Sequence, residues 1–71
     1  MDWKPLIGEN ARRRRSELGL SQEDVAHRVG ITVGYYSQVE RGRRNMTVDV
    51  LARIAEALGV ELVALFIRHP S

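Results

Sequence analysis

The stretch "GLSQEDVAHRVGITVGYYSQVERGRRN", residues 19–45, decides the fold, because it holds two sets of helix start and stop signals a few residues apart. Ser21 offers a hydroxyl to the free N–H groups of a helix start, Asp24 stands where the reciprocal acid of a capping box belongs, and Leu20 and Val25 have the spacing of a hydrophobic staple. Val25, Ala26 and Val29 then share one side of "SQEDVAHRV", and Gly30 is placed for the left-handed cap that reverses the chain. Thr32 is the next N-cap. From it Tyr36 and Val39 form an inward i, i+3 pair before Gly42 ends the turn. The spacing makes Tyr36 a core residue with its hydroxyl at the edge.

Working outward, Pro5 opens a first helix, in which Ile7, Ala11 and Leu18 define an apolar face interrupted by Arg14, with Gly19 as the stop. Thr47 caps a fourth helix, where Val48, Leu51, Ile54, Ala55 and Leu58 repeat at helical spacing until Gly59. A fifth helix, about 61–67 within "VELVALFI", is apolar almost all round and precedes Pro70. The expectation is an all-α fold: a single domain over residues 1–71, a five-helix bundle with a helix-turn-helix at about 21–41. There is no strand pattern, internal repeat or linker.

Composition limits the function classes. The chain has 71 residues, no cysteine, and histidines only at positions 27 and 69, which supports neither a disulfide framework nor a zinc site. A core of this size supplies roughly 3–5 kcal/mol without a staple, so self-association is the natural supplement. The start "MDWKPLIGEN" lacks the layout of a signal peptide and no apolar run approaches the ~18 residues of a membrane span, which predicts a cytoplasmic protein. No Gly-rich phosphate loop, nucleophile elbow or metal-ligand spacing occurs, and Ser37 with His27 lacks an orienting acid, so neither an enzyme nor a cofactor is expected.

Net charge is only +2, but Arg12, Arg13, Arg14 and Arg15 form one positive block and Arg41, Arg43 and Arg44 another. Such a block is a solvated face or a phosphate-binding one. Two short helices joined by "GIT" are the unit that seats a helix in the major groove of DNA. The groove admits a helix whose outward residues are small or flexible near its N-terminus, and Val33, Gly34, Ser37 and Gln38 lie opposite Tyr36 and Val39. Gln38 can present a donor and an acceptor to adenine, Val33 can meet a thymine methyl, Ser37 can pair with several bases, and Gly34 permits close approach.

The segments "GLSQEDVAHRVGIT" (19–32), "YYSQVERGRRN" (35–45) and "LARIAEALGVELVALF" (51–66) resemble the Xre/Cro/phage-repressor type of helix-turn-helix family, lambda-repressor-like in fold, with the recognition helix third. The resemblance implies that Gln22 holds a phosphate and braces the recognition helix near Gln38. It implies backbone contacts for Thr32, Tyr35, Arg43, Arg44 and Asn45, base reading by Val33, Gly34, Ser37 and Gln38, and a buried ion pair between Arg15 and Glu40. Arg14 and Met46 depart from the leucine and proline usual in the family, and Val33 and Gly34 from its polar residues.

Taken together, the expectation is a homodimeric regulator on a palindromic operator of double-stranded DNA, with no small-molecule ligand, similar to restriction–modification controller proteins. The alternatives are a protein-interaction module or an autoregulating antitoxin of the same fold. Val63 and Ile67, at i, i+4 and without an obvious intrachain partner, mark the dimer interface, while Leu62, Leu65 and Phe66 serve the core. Trp3 is open to two roles, anchoring the N-terminus or extending the dimer patch.

Overall fold

The computed structural model describes residues 2–69. Helix α1 spans Trp3–Glu17, α2 Gln22–Val29, α3 Val33–Glu40 and α4 Val48–Ala57, and a 3-10 segment, Leu62–Phe66, follows. The helix starts obey the side-chain signals. Ser21 and Asp24 form both arms of a capping box, at 3.0 and 2.9 Å. Thr32 and Thr47 each accept from the N–H three residues on, Tyr35 and Val50, satisfying donors that a helix leaves orphaned. Helix α1 begins before Pro5, because Asp2 accepts from the Lys4 N–H at 3.1 Å. Pro5 thus falls within the first turn, where its missing N–H is no loss.

The elements close a ring in space: α1 packs on α3, α3 on α2, α2 on α4, α4 on the 3-10 segment, and that segment on α1. Twelve apolar residues fill the centre, with Ile7, Val25, Tyr36, Val39, Ile54 and Leu58 fully buried. Each large one contributes roughly 1.5–3 kcal/mol of burial. The crossing of α1 and α3 is backbone to backbone at Gly8, where a Cβ would lie 2.4 Å from the Val39 carbonyl oxygen. The C-termini of α2 and α4 are linked by arginines: Arg53 donates to the Val29 carbonyl and Arg28 to that of Ala57.

Several sequence expectations need correction. The fifth element is a 3-10 turn of five residues rather than an α-helix, so among the described residues there are four α-helices. Its end is tied to α1 by Asn10, whose Nδ2 donates to the carbonyls of Leu65 (2.7 Å) and Ile67 (2.8 Å). Those carbonyls, at the end of the segment, are satisfied by a side chain of α1, and no side chain caps the segment's start. With three residues per turn, Leu62 pairs with the buried Leu65, while Phe66 turns outward beside Val63 and is 41% exposed. Phe66 is therefore outside the core. Leu18, placed on the buried face of α1, is the C-cap and is also exposed. Tyr36 carries its hydroxyl inside the core rather than at its edge, buried beside the Glu40 carboxylate.

Candidate nucleic-acid interface

Helix α3 is short and two-faced. Tyr36 and Val39 point inward and are fully buried. On the other side Val33 is 44% exposed, Ser37 and Gln38 are half-buried, and Gly34 is exposed with no atom within 4 Å of where a Cβ would stand. Thr32 is exposed at the start of the helix.

The far end of α3 is fixed by a charged knot. Arg15 grips Glu40 with two hydrogen bonds, Nε to Oε2 at 2.6 Å and Nη2 to Oε1 at 3.1 Å, and its third donor group reaches the Leu20 carbonyl at 2.8 Å. Gln22 Nε2 donates to Glu40 Oε1 at 3.0 Å. The Glu40 side chain is 4% exposed and that of Arg15 17%, so this is a buried pair with its lone pairs filled. Burial pushes the Glu40 pKa up, but the hydrogen bonds it accepts from Arg15 and Gln22 and the adjacent Tyr36 hydroxyl outweigh this, holding it below the usual carboxylate range. The same hydrogen bond raises the Arg15 pKa. Burial, then the hydrogen bond and the negative charge of the adjoining Glu40, push the Tyr36 phenol upward. Gln22 thus meets α3 at Glu40.

The first arginine block is dispersed. Arg13 binds Asn10 Oδ1 at 2.8 Å, Arg14 Nε donates to the Leu58 carbonyl at 2.9 Å, and Arg15 is in the knot. Arg12 alone of the four stays exposed and unpaired among the described residues, beside an open groove shared with Gln22, Ser37 and Arg41. The second block stays around α3. Arg41 donates to Ser37 Oγ at 3.2 Å, Arg44 donates to Gln38 Oε1 at 3.2 Å with its guanidinium 4.3 Å over the Tyr35 ring, and the exposed Arg43 side chain has no partner among the described residues.

Tyr35, Gln38 and Arg44 are thus brought together. Asn45 accepts from Lys4 at 3.4 Å, at the α1 side of the loop. Val63 and Ile67 are 66% and 49% exposed, but a 3-10 turn does not place them on one face; Val63 instead aligns with Phe66. Sequence reasoning missed Asn10, Gly8 and the tie between Arg41 and Ser37. Asn10 had a signal: a polar residue between Ile7 and Ala11 on the apolar face of α1, which burial obliges to be fully hydrogen-bonded.

The helix-turn-helix family model HTH_3 matches residues 11–65. The chain belongs to this helix-turn-helix family. Among its relatives, the uncharacterized HTH-type transcriptional regulator y4dJ of Sinorhizobium fredii is 51% identical over 65 residues, 92% of this chain and 84% of that one. Control protein C.SmaI of Serratia marcescens is 38% identical over 69 residues, covering 97% and 82% of the two chains. The crystal structure of the restriction-modification controller protein C.AhdI from Aeromonas hydrophila superposes with a TM-score of 0.84 at 37% identity, over 87% of this chain and 94% of that one. These relatives are regulators, not enzymes. Among the described residues no helix is long and apolar enough to cross a membrane, and no group of three potential ligands is placed to hold a metal ion.

Proposed function

We propose that the chain is a homodimeric transcription regulator that works in the cytoplasm and binds a palindromic DNA operator by seating α3 in the major groove. The observation that carries this reading is the outer face of α3: small residues with open space at Gly34, ringed by arginines whose charges are not neutralised. Val33, Gly34, Ser37 and Gln38 read bases, and Gln22, Thr32, Tyr35, Arg43, Arg44 and Asn45 face the sugar-phosphate backbone. The names of the similar controller proteins and regulators support the same assignment.

The dimer rests on Val63, Phe66 and Ile67, large apolar residues that the chain leaves exposed. Joining two copies there about a two-fold axis adds the burial that so small a core lacks, and sets two α3 helices about 34 Å apart, one turn of DNA. A salt titration of duplex binding tests the assignment. Arg12, Arg41, Arg43 and Arg44 remain uncompensated around α3, so a dimer neutralises at most about eight phosphates, giving a log–log slope near −7. Binding that ignores salt, or no binding to any duplex at low salt, refutes it.

A further inference from the structure

The reading of α3 leaves one feature unused: Arg44, assigned to a phosphate by its position in the chain, is held against a base-reading side chain. Four contacts hold it there. The end of α3 closes with Gly42 N–H donating to the Val39 carbonyl and Arg43 N–H reaching back to that of Gln38, at 3.1 and 3.0 Å, so the next residue returns alongside Gln38. Gly42 has a φ of 72°, the conformation this closure needs. The Arg44 guanidinium then lies 4.3 Å over the Tyr35 ring and donates to Gln38 Oε1 at 3.2 Å.

A guanidinium has donors and no acceptor, so the chemistry of the contact fixes which way the Gln38 amide points: oxygen toward Arg44, amino group away. We propose that Arg44 is a specificity-determining positioning residue, which locks Gln38 as a hydrogen-bond donor and so selects guanine at the base pair beneath it. Adenine reads glutamine through both ends of the amide, giving its N6 hydrogens to the oxygen and accepting at N7. With Arg44 seated on that oxygen, an adenine amino group would meet a full positive charge. Guanine presents N7 and O6, both acceptors, and suits a surface that offers donors alone. Tyr35 acts at one remove, because stacking fixes the plane of the guanidinium.

The inference rests on the operator-binding reading, and selection of preferred sites from random duplexes separates the two. The wild-type chain, Gln38→Ala, Arg44→Ala, Tyr35→Leu and Arg43→Ala are each selected under the same salt. The wild type should enrich guanine at one position per half-site, identified as the position that Gln38→Ala makes indifferent. Arg44→Ala should keep the rest of the motif but admit adenine there, the guanine-to-adenine ratio falling about tenfold. Tyr35→Leu should move the same position in the same direction by less. Arg43→Ala should weaken all duplexes alike and shift no preference. A wild-type preference for adenine at that position overturns the proposal, as does an Arg44→Ala motif identical to the wild type with uniformly lower affinity. If the wild type enriches no sequence at all, the operator-binding reading itself fails.

Discussion

Two glycines sit inside helices, and alanine should affect them with opposite sign. At Gly34 a Cβ would meet nothing within 4 Å, and the residue is exposed in the first turn of α3. A glycine in a helix costs roughly 0.5–1 kcal/mol relative to alanine, and its place near the helix start argues for the lower end. Gly34→Ala should therefore stabilise the fold by about 0.5 kcal/mol, a rise of roughly 2–4 °C in melting temperature for a domain of this length. Nothing inside the chain requires glycine here, so the requirement is external, and the same variant should weaken operator binding by about tenfold as the methyl holds α3 off the base edges. Gly8→Ala is the control. Its Cβ would stand 2.4 and 2.6 Å from the carbonyl oxygens of Val39 and Glu40, backbone atoms that cannot rotate away, and separating the helices should cost about 1–3 kcal/mol. Urea melts of both variants and anisotropy titrations of Gly34→Ala on a selected duplex decide it. A stabilised Gly34→Ala with undiminished affinity would refute close approach at this residue.

Glu40→Ala should destabilise the fold by about 3 kcal/mol, the low end for a broken buried pair because Arg15 keeps an edge to water, whereas Arg15→Met with Glu40→Leu should be within about 1 kcal/mol of the wild type in a urea melt. Since the Glu40 pKa is lower in the folded state, its contribution is whole above the unfolded value of about 4.3 and is lost as pH falls through the folded one; melts across that range should show a loss that Glu40→Gln lacks. Asn10→Ala removes the donor to two carbonyls and should cost about 2 kcal/mol, with faster amide exchange confined at first to residues 62–67. Ile67→Asp should stay folded but sediment as a monomer at micromolar concentration; a variant that remains dimeric would move the interface elsewhere, with the Trp3 end of α1 the next surface to test.

What the sequence made legible were the features set by near neighbours. Ser21, Thr32 and Thr47 cap helices because a side chain and an N–H three residues away need no tertiary help, and the apolar periods of α2 and α4 gave their buried faces directly, except at Val48, which starts the repeat of α4 but is 70% exposed. The outer face of α3 followed from the inner one by helical geometry. Features created by distant contacts were not legible. The end of the 3-10 turn is held by Asn10, more than fifty residues earlier in the chain, and apolar composition alone cannot distinguish such a turn from an α-helix. The tie between Gln38 and Arg44 likewise depends on how the chain turns after Gly42, not on the residue types alone.

The distribution of arginines shows why a count of basic residues misplaces the positive surface. Arg14 stands on the apolar face of α1, where its stem can lie against the core while Nε caps the last turn of α4 at Leu58, the negative end of that helix. An arginine there does the packing of a leucine and the capping of a donor, which reconciles it with the family's usual apolar residue. Arg13, Arg15 and Arg53 are matched by Glu9, Glu40 and Asp49, so their charges cancel within the fold. Arg41 and Arg44, by contrast, bond among the described residues to neutral acceptors, the carbonyl and hydroxyl of Ser37 and the side-chain oxygen of Gln38. Pairing a cation with an uncharged acceptor orders the guanidinium and leaves its field intact. The positive potential is therefore concentrated where α3 is exposed, and it is carried by side chains already oriented before any duplex arrives.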